Sequence, residues 1–282
     1  MKSCESHVHS SSNYYNYTPS LIGKETFFYP IAIGHFIYEP GYHQRRSSFD
    51  SFLLLYIKSG SMNFCIGDQT ITAETDSFVF LDCYRPHEYF TDNTCDCLWI
   101  HFDGPVARDY YALIAEKLGN HFMLLDGFPA YSHMQKLYDI FAHSMPIREA
   151  ELSKLISDTL TLFLLHSSER DQQNTSVFDE IRSYINESYW EDITTPYLAQ
   201  LAHLSPYHFI RRFKKETGFT PHEYLLQTRI GAAKYMLMNT ALPVKDICFA
   251  CGFSCESIFC TAFKKMVGVS PLQYRRKSYP AI

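Results

Sequence analysis

Two stretches with the same internal spacing stand fifty residues apart: FKKETGFTPHEY, beginning at Phe213, and FKKMVGVSPLQY, beginning at Phe263. Phe213, Lys214, Lys215, Gly218, Pro221 and Tyr224 each recur at plus fifty, as Phe263, Lys264, Lys265, Gly268, Pro271 and Tyr274. Phe209 also returns, as Phe259. A repeat of this period is a supersecondary unit used twice, and two copies are too few for a solenoid. Each copy reads as a helix stopped by Gly, followed by Thr-Pro or Ser-Pro opening the next helix. The duplication therefore demands an all-helical C-terminal region built from two equivalent units.

At 282 residues the chain is long enough for a second domain with its own core. The opening segment, residues 1–26, is polar and lacks the apolar run and cleavage pattern of a secretion signal, so it reads as a mobile polar tail. No apolar run approaches ~18 residues, which excludes a membrane-spanning helix. Nine cysteines without a framework spacing fit a reducing, cytoplasmic setting.

From 27 to about 104 the chain consists of short β-rich segments broken by turns: 27–38, 51–57, 62–66, 70–73, 77–81, 87–90 and 97–102. Gly67-Asp68 is the turn of a hairpin. Seven or so strands in so short a span imply a small antiparallel barrel or sandwich. After Gly104-Pro105 the period changes, and 106–118, 132–142 and 149–166 are helical. The last carries an apolar stripe of Leu152, Leu155, Ile156, Leu160, Phe163 and Leu164, which either packs on the β-structure or forms a dimer seam. This domain spans 27–170, and a polar linker occupies 171–176.

Residues 177–282 are helical throughout. Helices over 195–202 and 206–217, with Ser205-Pro206 as cap and start, make one helix-turn-helix. A connecting helix over 221–239 would span about 28 Å at ~1.5 Å per residue. The segments 244–251 and 255–267 make the second helix-turn-helix. This region holds 13 Lys/Arg and 9 Asp/Glu, a balance of +4, while residues 1–176 carry −9, giving −5 for the whole. A basic rear on an acidic front suggests that the helical half binds nucleic acid.

The helical period sharpens that suggestion. Phe209 and Phe213 are four apart and share a buried face. Tyr207, Arg211, Lys214 and Lys215 then fall on the opposite face. Such a helix can enter a major groove, with early residues at base edges and later lysines at phosphates. Arg211 is suited to bidentate contact with guanine. Shifted by fifty, the outward set is Ser257, Thr261, Lys264 and Lys265, with Glu256 alongside and no arginine. A solvated basic face on one helix would need no explanation, but it has no reason to recur in register.

These residues resemble the DNA-binding domain of the AraC/XylS family of bacterial transcription regulators. The matching pieces are LAQLAHLSPYHFIRRFKKETGFTPHEYLLQTRIGAAKYML and ICFACGFSCESIFCTAFKKMVGVSPLQYRR. The resemblance implies double-stranded operator DNA as partner, with base contacts at Tyr207, Ile210 and Arg211, beside His208, and at Glu256, Ser257, Cys260 and Thr261. Where many members have Arg in the second recognition helix, this chain has Thr261.

The front half resembles the family's cupin-like ligand-binding and dimerisation domain, through Gly60, Arg85-Pro86-His87 and the run Leu98–Gly104. The family's usual Gly-Asp turn stands here as Thr75-Asp76. The resemblance implies an α+β protein of two domains, a cupin-like antiparallel β-barrel with accessory helices followed by a tandem helix-turn-helix domain. It also implies a homodimer, leaves RNA polymerase open as a partner, and places an effector pocket at Arg45 or Arg46, Tyr89, Trp99 and His101. Arginine beside an indole suits a sugar, because the guanidinium donates hydrogen bonds and the aromatic face stacks.

An enzymatic cupin would need a convergent metal-binding set. His43 and His87 are candidate inward residues, yet no His-x-His lies on the early strands. Cys95-x-Cys97 reads as two side chains packed on one strand face, and Cys248 and Cys251 as small apolar replacements in a helix. With no nucleophile–base constellation and no phosphate-cradling Gly loop, the expectation is no catalytic residue, metal or cofactor. The chain is expected to be a ligand-responsive DNA-binding regulator, with carbohydrate as the effector class. A regulator without small-molecule effector, or a cupin-type metalloenzyme, is the alternative.

Overall fold

Period-two burial builds the first half of this chain and helical burial the second, in two units, Met1–Arg170 and Asp171–Ile282. The computed structural model describes residues 2, 5–67, 69–170 and 177–278. The segment expected as the linker, 171–176, lies outside the described residues, as does Asp68 of the hairpin turn.

The first unit runs β1 (Asn13–Asn16), α1 (Leu21–Thr26), β2 (Tyr29–Tyr38), β3 (Tyr42–Arg46), β4 (Phe52–Ser59), β5 (Ser61–Ile66), β6 (Gln69–Glu74), β7 (Ser77–Asp82), β8 (His87–Thr91) and β9 (Cys95–Asp103). Then follow α2 (Ala107–Leu118), β10 (His121–Met123), α3 (Phe128–Ala142) and α4 (Glu149–Arg170). The strands do not close into a barrel. They form two antiparallel sheets, ordered β1-β2-β9-β4-β7-β10 and β3-β8-β5-β6. The six-stranded sheet ends on strands of four and three residues, too short to carry the hydrogen-bond ladder round to the other sheet.

The six-stranded sheet is buried on both faces. On β4, Leu53 and Leu55 point toward the four-stranded sheet and pack with Met62, Phe64 and Tyr89. Their neighbours Phe52 and Leu54 point the other way, toward Ile114, Met134, Leu155 and Phe163 of α2–α4. This explains why β4 and β7 read as unbroken apolar runs, whereas β6, covered on one face only, alternates. The α4 stripe of Leu152, Leu155, Ile156, Leu160 and Phe163 is 0–4% exposed and belongs to this core. Of the two readings of that stripe, packing on the sheet is the one observed. At Thr75-Asp76 the turn needs φ of +66° at Asp76, which Asp tolerates better than most residues, and the Tyr56 hydroxyl donates to Asp76 Oδ1 at 2.7 Å.

Residues 5–26 are not a free tail. β1 pairs with β2 from Asn13 opposite His35 to Asn16 opposite Ala32, and Ser12 is buried where its Oγ accepts from the Ile37 N–H at 2.9 Å. Ser20 caps α1 and gives both its N–H and its hydroxyl to Glu149 at the start of α4. Polarity suggested a tail, but the tyrosines and asparagines of NYYN supply an edge strand.

The second unit comprises α5 (Val177–Ser188), α6 (Thr195–Leu201), α7 (Pro206–Thr217), α8 (Pro221–Asn239), α9 (Val244–Ala250), α10 (Glu256–Val267) and α11 (Pro271–Ser278). It has two cores. Phe178, Ile181, Ile185, Phe209, Phe213 and Leu225 form one, and Ile230, Leu237, Ile247, Phe259 and Phe263 form the other, so α8 serves both. The repeat is carried into local geometry. The Phe213–Tyr224 and Phe263–Tyr274 rings meet edge-on, both at 5.6 Å. Thr220 and Glu223 exchange hydrogen bonds at the start of α8, and Ser270 and Gln273 do the same at α11.

Gly218 and Gly252 share φ of +79° but differ in surroundings. A Cβ on Gly218 would meet nothing within 4 Å, whereas one on Gly252 would lie 2.6 Å from the Trp190 carbonyl oxygen. Gly218→Ala should destabilise the second unit by about 1 kcal/mol, the left-handed backbone cost alone. Gly252→Ala should cost roughly 3 kcal/mol, because backbone must also move. Urea unfolding of both variants checks the ranking, which fails if Gly218→Ala is the more damaging.

Candidate nucleic-acid interface and ligand cavity

α7 begins where Ser205 caps Pro206 and ends at left-handed Gly218, whose N–H donates to the Lys214 carbonyl at 2.9 Å. Phe209 and Phe213 are fully buried. Tyr207 (72% exposed), His208, Arg211, Lys214 and Lys215 face solvent, with Ile210 at the margin. Neighbouring arginines have different lots. Arg212 lies 5.0 Å over the Phe178 ring and pairs with Glu216 at 3.7 Å, while Arg211 has no ion pair among the described residues. The outward face thus offers one unengaged guanidinium, followed one turn later by two ammonium groups.

α10 repeats the arrangement with poorer chemistry. Glu256, Ser257, Thr261, Lys264 and Lys265 are exposed, and Phe259 and Phe263 are buried. Cys260 is less exposed than these. It is half-buried against the second core, because it follows Phe259 round the helix toward Ala262 and Phe263. In repeat register Cys255 replaces the capping Ser205, and its side chain makes no cap hydrogen bond. Ser257, Thr261 and Lys265 also border an open groove of about 680 Å3 walled by Phe219, Leu226 and Met266. The repeat alone gave no sign of that groove, since Phe219 corresponds to Val269 in the second copy.

Between the sheets of the first unit lies a cavity of about 150 Å3. Arg46, Tyr89, Trp99 and His101 all line it. Arg45 does not. β3 alternates, so Tyr42 and Arg46 point inward, while His43 and Arg45 point out and both pair with Glu88, at 2.7 and 3.5 Å. The period of two across Tyr42-x-Gln44-x-Arg46 was the signal that separates the arginines. Glu5, Tyr14, Asn16, Tyr38, Tyr42 and Phe49 also line the cavity. Three of these lie in the stretch expected to be a tail.

The polar groups of this cavity are partly satisfied. The Tyr42 hydroxyl donates to Glu5 Oε2 at 2.9 Å, and Ser51 Oγ lies 2.9 Å from His101 Nδ1. Trp99 packs edge-on against Phe36 at 5.1 Å and His101 at 5.6 Å, yet its buried indole N–H has no hydrogen-bond partner. Gly34 makes room for that ring, since a Cβ there would lie 2.3 Å from it. Burial, reinforced by the Arg46 charge, pushes the His101 pKa down from 6.5 to about 3. Burial pushes the Tyr89 hydroxyl up to about 12.

The residues weighed for enzymatic chemistry do not converge. His87 is buried, whereas His43 stands on the opposite face of the sheet. Cys95 and Cys97 are fully buried with sulfurs 3.3 Å apart, and burial pushes the Cys97 thiol well up, away from the reactive thiolate. Cys248 and Cys251 are buried in the second helical core. Among the described residues, His, Cys, Asp and Glu form no group of three able to hold a metal ion. No helix among them is long and apolar enough to cross a membrane.

Comparison with known proteins finds a recognised domain in each half of the chain. An AraC-like ligand binding domain matches residues 30–162, and a helix-turn-helix domain matches residues 198–277. The bifunctional transcriptional activator/DNA repair enzyme AdaA of Bacillus subtilis (strain 168) is 40% identical over 100 residues, 36% of this chain and 47% of that protein. The uncharacterized HTH-type transcriptional regulator YijO of Escherichia coli (strain K12) is 36% identical over 105 residues, 37% of each chain. A second regulator of that organism, YdiP, is 26% identical over 261 residues, 85% of this chain and 82% of its own length. The chain spans less than half the length of the first two.

Because His101 stays neutral in the folded unit down to about pH 3 but takes up a proton near pH 6.5 when unfolded, acid favours the unfolded state. Its contribution to stability is complete above about pH 6.5 and declines as pH falls toward 3. Between those limits the slope should reach on the order of 1 kcal/mol per pH unit. Thermal unfolding of wild type and His101→Asn from pH 7.5 to 4.5 isolates it. Parallel declines in the two proteins would contradict the assignment.

Proposed function

This chain belongs to the AraC family of transcription regulators, and from that premise we propose that it is a ligand-responsive regulator that binds operator DNA through α7 and α10 and a small polar effector between its two sheets. The observation that carries the DNA half is the recurrence, in register, of an outward polar face opposite a buried Phe pair. In this reading Tyr207, His208, Ile210 and Arg211 read bases in one major-groove segment, and Lys214 and Lys215 hold phosphates. Glu256, Ser257 and Thr261 face a second segment, with Lys264 and Lys265 on its backbone. Cys260 is proposed as a minor contributor, since it is partly buried against the second core. Successive groove faces on one side of DNA lie ~34 Å apart, and α8, about 28 Å long, is a spacer of the right order.

The effector half rests on Arg46, Tyr89, Trp99 and His101 sharing one cavity. A carbohydrate suits a site where aromatic faces alternate with hydrogen-bonding groups. The protein performs no reaction of its own in this reading and needs no metal or cofactor. A homodimer is the proposed assembly, with a seam other than the buried α4 stripe, and RNA polymerase is the proposed downstream partner.

Arg211 can form two parallel hydrogen bonds to one guanine, whereas Thr261 can form one weaker contact. Arg211→Ala should cost about 1–3 kcal/mol and flatten preference at one base position. Thr261→Ala should cost less. Lys215→Ala should weaken binding to all sequences alike and lower the salt slope by roughly one. Titration against single-base operator variants at two salt concentrations tests all three. Greater loss of affinity and specificity from Thr261→Ala would reverse the ranking of the two helices.

A further inference from the structure

The cavity between the sheets has two chemically different ends. Tyr42 and Arg46 both point inward from β3 and stand four residues apart, which separates their Cα atoms by about 13 Å of strand. At the Tyr42 end the hydroxyl already donates to Glu5 at 2.9 Å, so an acid and its donor are in place. At the other end a chain of rings begins with the Arg46 guanidinium, 5.3 Å over Phe49. Phe49 meets His101 edge-on at 4.7 Å, and His101 meets Trp99 at 5.6 Å.

This second end is rich in donors and short of acceptors. Arg46 is half-buried, and among the described residues no carboxylate lies within ion-pair distance of it. The Trp99 indole N–H is buried without a partner. His101 brings no second positive charge at neutral pH. An unpaired cation and an orphaned N–H lining one partly dry cavity are each costly; an anionic group on a ligand would satisfy the first, and another of its oxygens the second. Arginine is the side chain best shaped to hold a carboxylate through two parallel bonds.

We propose that the effector is a small acid sugar, a monosaccharide-sized polyhydroxy compound with one carboxylate group. Its carboxylate pairs with Arg46, a ring or hydroxyl oxygen accepts from the Trp99 N–H, and its remaining hydroxyls reach the Glu5–Tyr42 end. The cavity of about 150 Å3 has room for one such unit rather than two. A neutral sugar would leave Arg46 without a counter-charge. The inference rests on the effector-cavity reading above and narrows its chemistry.

Calorimetric titration of the full chain with D-glucuronate, D-galacturonate and D-gluconate, each against D-glucose, D-galactose and D-glucitol, tests it. At least one acid should bind about tenfold or more tightly than its neutral counterpart, and added salt should weaken it. Arg46→Gln should lower that acid's affinity about tenfold or more, with Arg46→Lys intermediate because it keeps the charge but loses the fork. Arg45→Gln, on the outer face of the same strand, should leave it within about twofold. Melting curves confirm that each variant is folded. A neutral sugar that binds as tightly as its acid, with binding lost in Trp99→Ala, overturns the acid-sugar inference and leaves the cavity reading standing. Binding of none of the six compounds overturns both.

Discussion

Each of the two repeated helices is oriented by two phenylalanines four residues apart with no exposed surface, Phe209 and Phe213 in α7 and Phe259 and Phe263 in α10. Burying one such ring stabilises the fold by about 1.5–3 kcal/mol, against a net stability for a domain of only ~5–15 kcal/mol. The rotation of the helix about its axis is therefore decided by the core. Arg211 and Arg212 show the consequence. They are adjacent and identical in type, yet one is held over Phe178 and the other is left free in solvent. The outward face is a by-product of what must be buried.

In the first unit the same dependence takes a two-sided form. Because helices cover one face of the six-stranded sheet and the second sheet covers the other, a shift of one residue would exchange the two cores entirely. Polar side chains pointing inward are tolerated only where the sheets part and leave the cavity. There Ser51 meets His101 and Tyr42 meets Glu5. At its margin the His87 Nδ1–H donates to the Arg85 carbonyl at 2.9 Å, while its buried Nε2 is left without a partner. The orphaned groups mark where the packing stops being self-sufficient.

How much of this was legible in the sequence depended on whether the signal was periodic. The paired Phe positions, the Ser-Pro and Thr-Pro starts and the Gly stops place α7, α8 and α10 within a residue of their observed bounds, because helix caps are local chemistry. Four of the five cavity residues expected from family resemblance do line one cavity, and alternation along β3 explains the fifth, Arg45. What escaped was long-range. β1 is polar and four residues long, so nothing local distinguishes it from a tail, and only pairing with β2 brings Tyr14 and Asn16 to the cavity. The short edge strand β10 escaped for the same reason. Barrel closure could not be judged from strand count, since it depends on whether the terminal strands are long enough to bridge two sheets.

The charge distribution constrains the proposed DNA contact further. The first 176 residues carry a balance of −9, so long-range attraction to a phosphate backbone must come from residues 177–282, whose balance is only +4. On the two outward faces the cations are Arg211, Lys214 and Lys215, then Lys264 and Lys265, with Glu256 opposing the second set. If the four lysines reach phosphates while Arg211 reads a base, the salt dependence of binding corresponds to a slope of roughly −3.6. That is a modest electrostatic contribution, so discrimination between operators rests heavily on the few groups that can address bases. Those groups are unequal. The first helix joins a guanidinium to an exposed tyrosine and histidine, whereas the second offers two hydroxyls and a carboxylate. A duplicated scaffold thus carries unduplicated chemistry: the cores keep the repeat because packing is intolerant of change, and the outward faces have diverged because nothing in the fold restrains them.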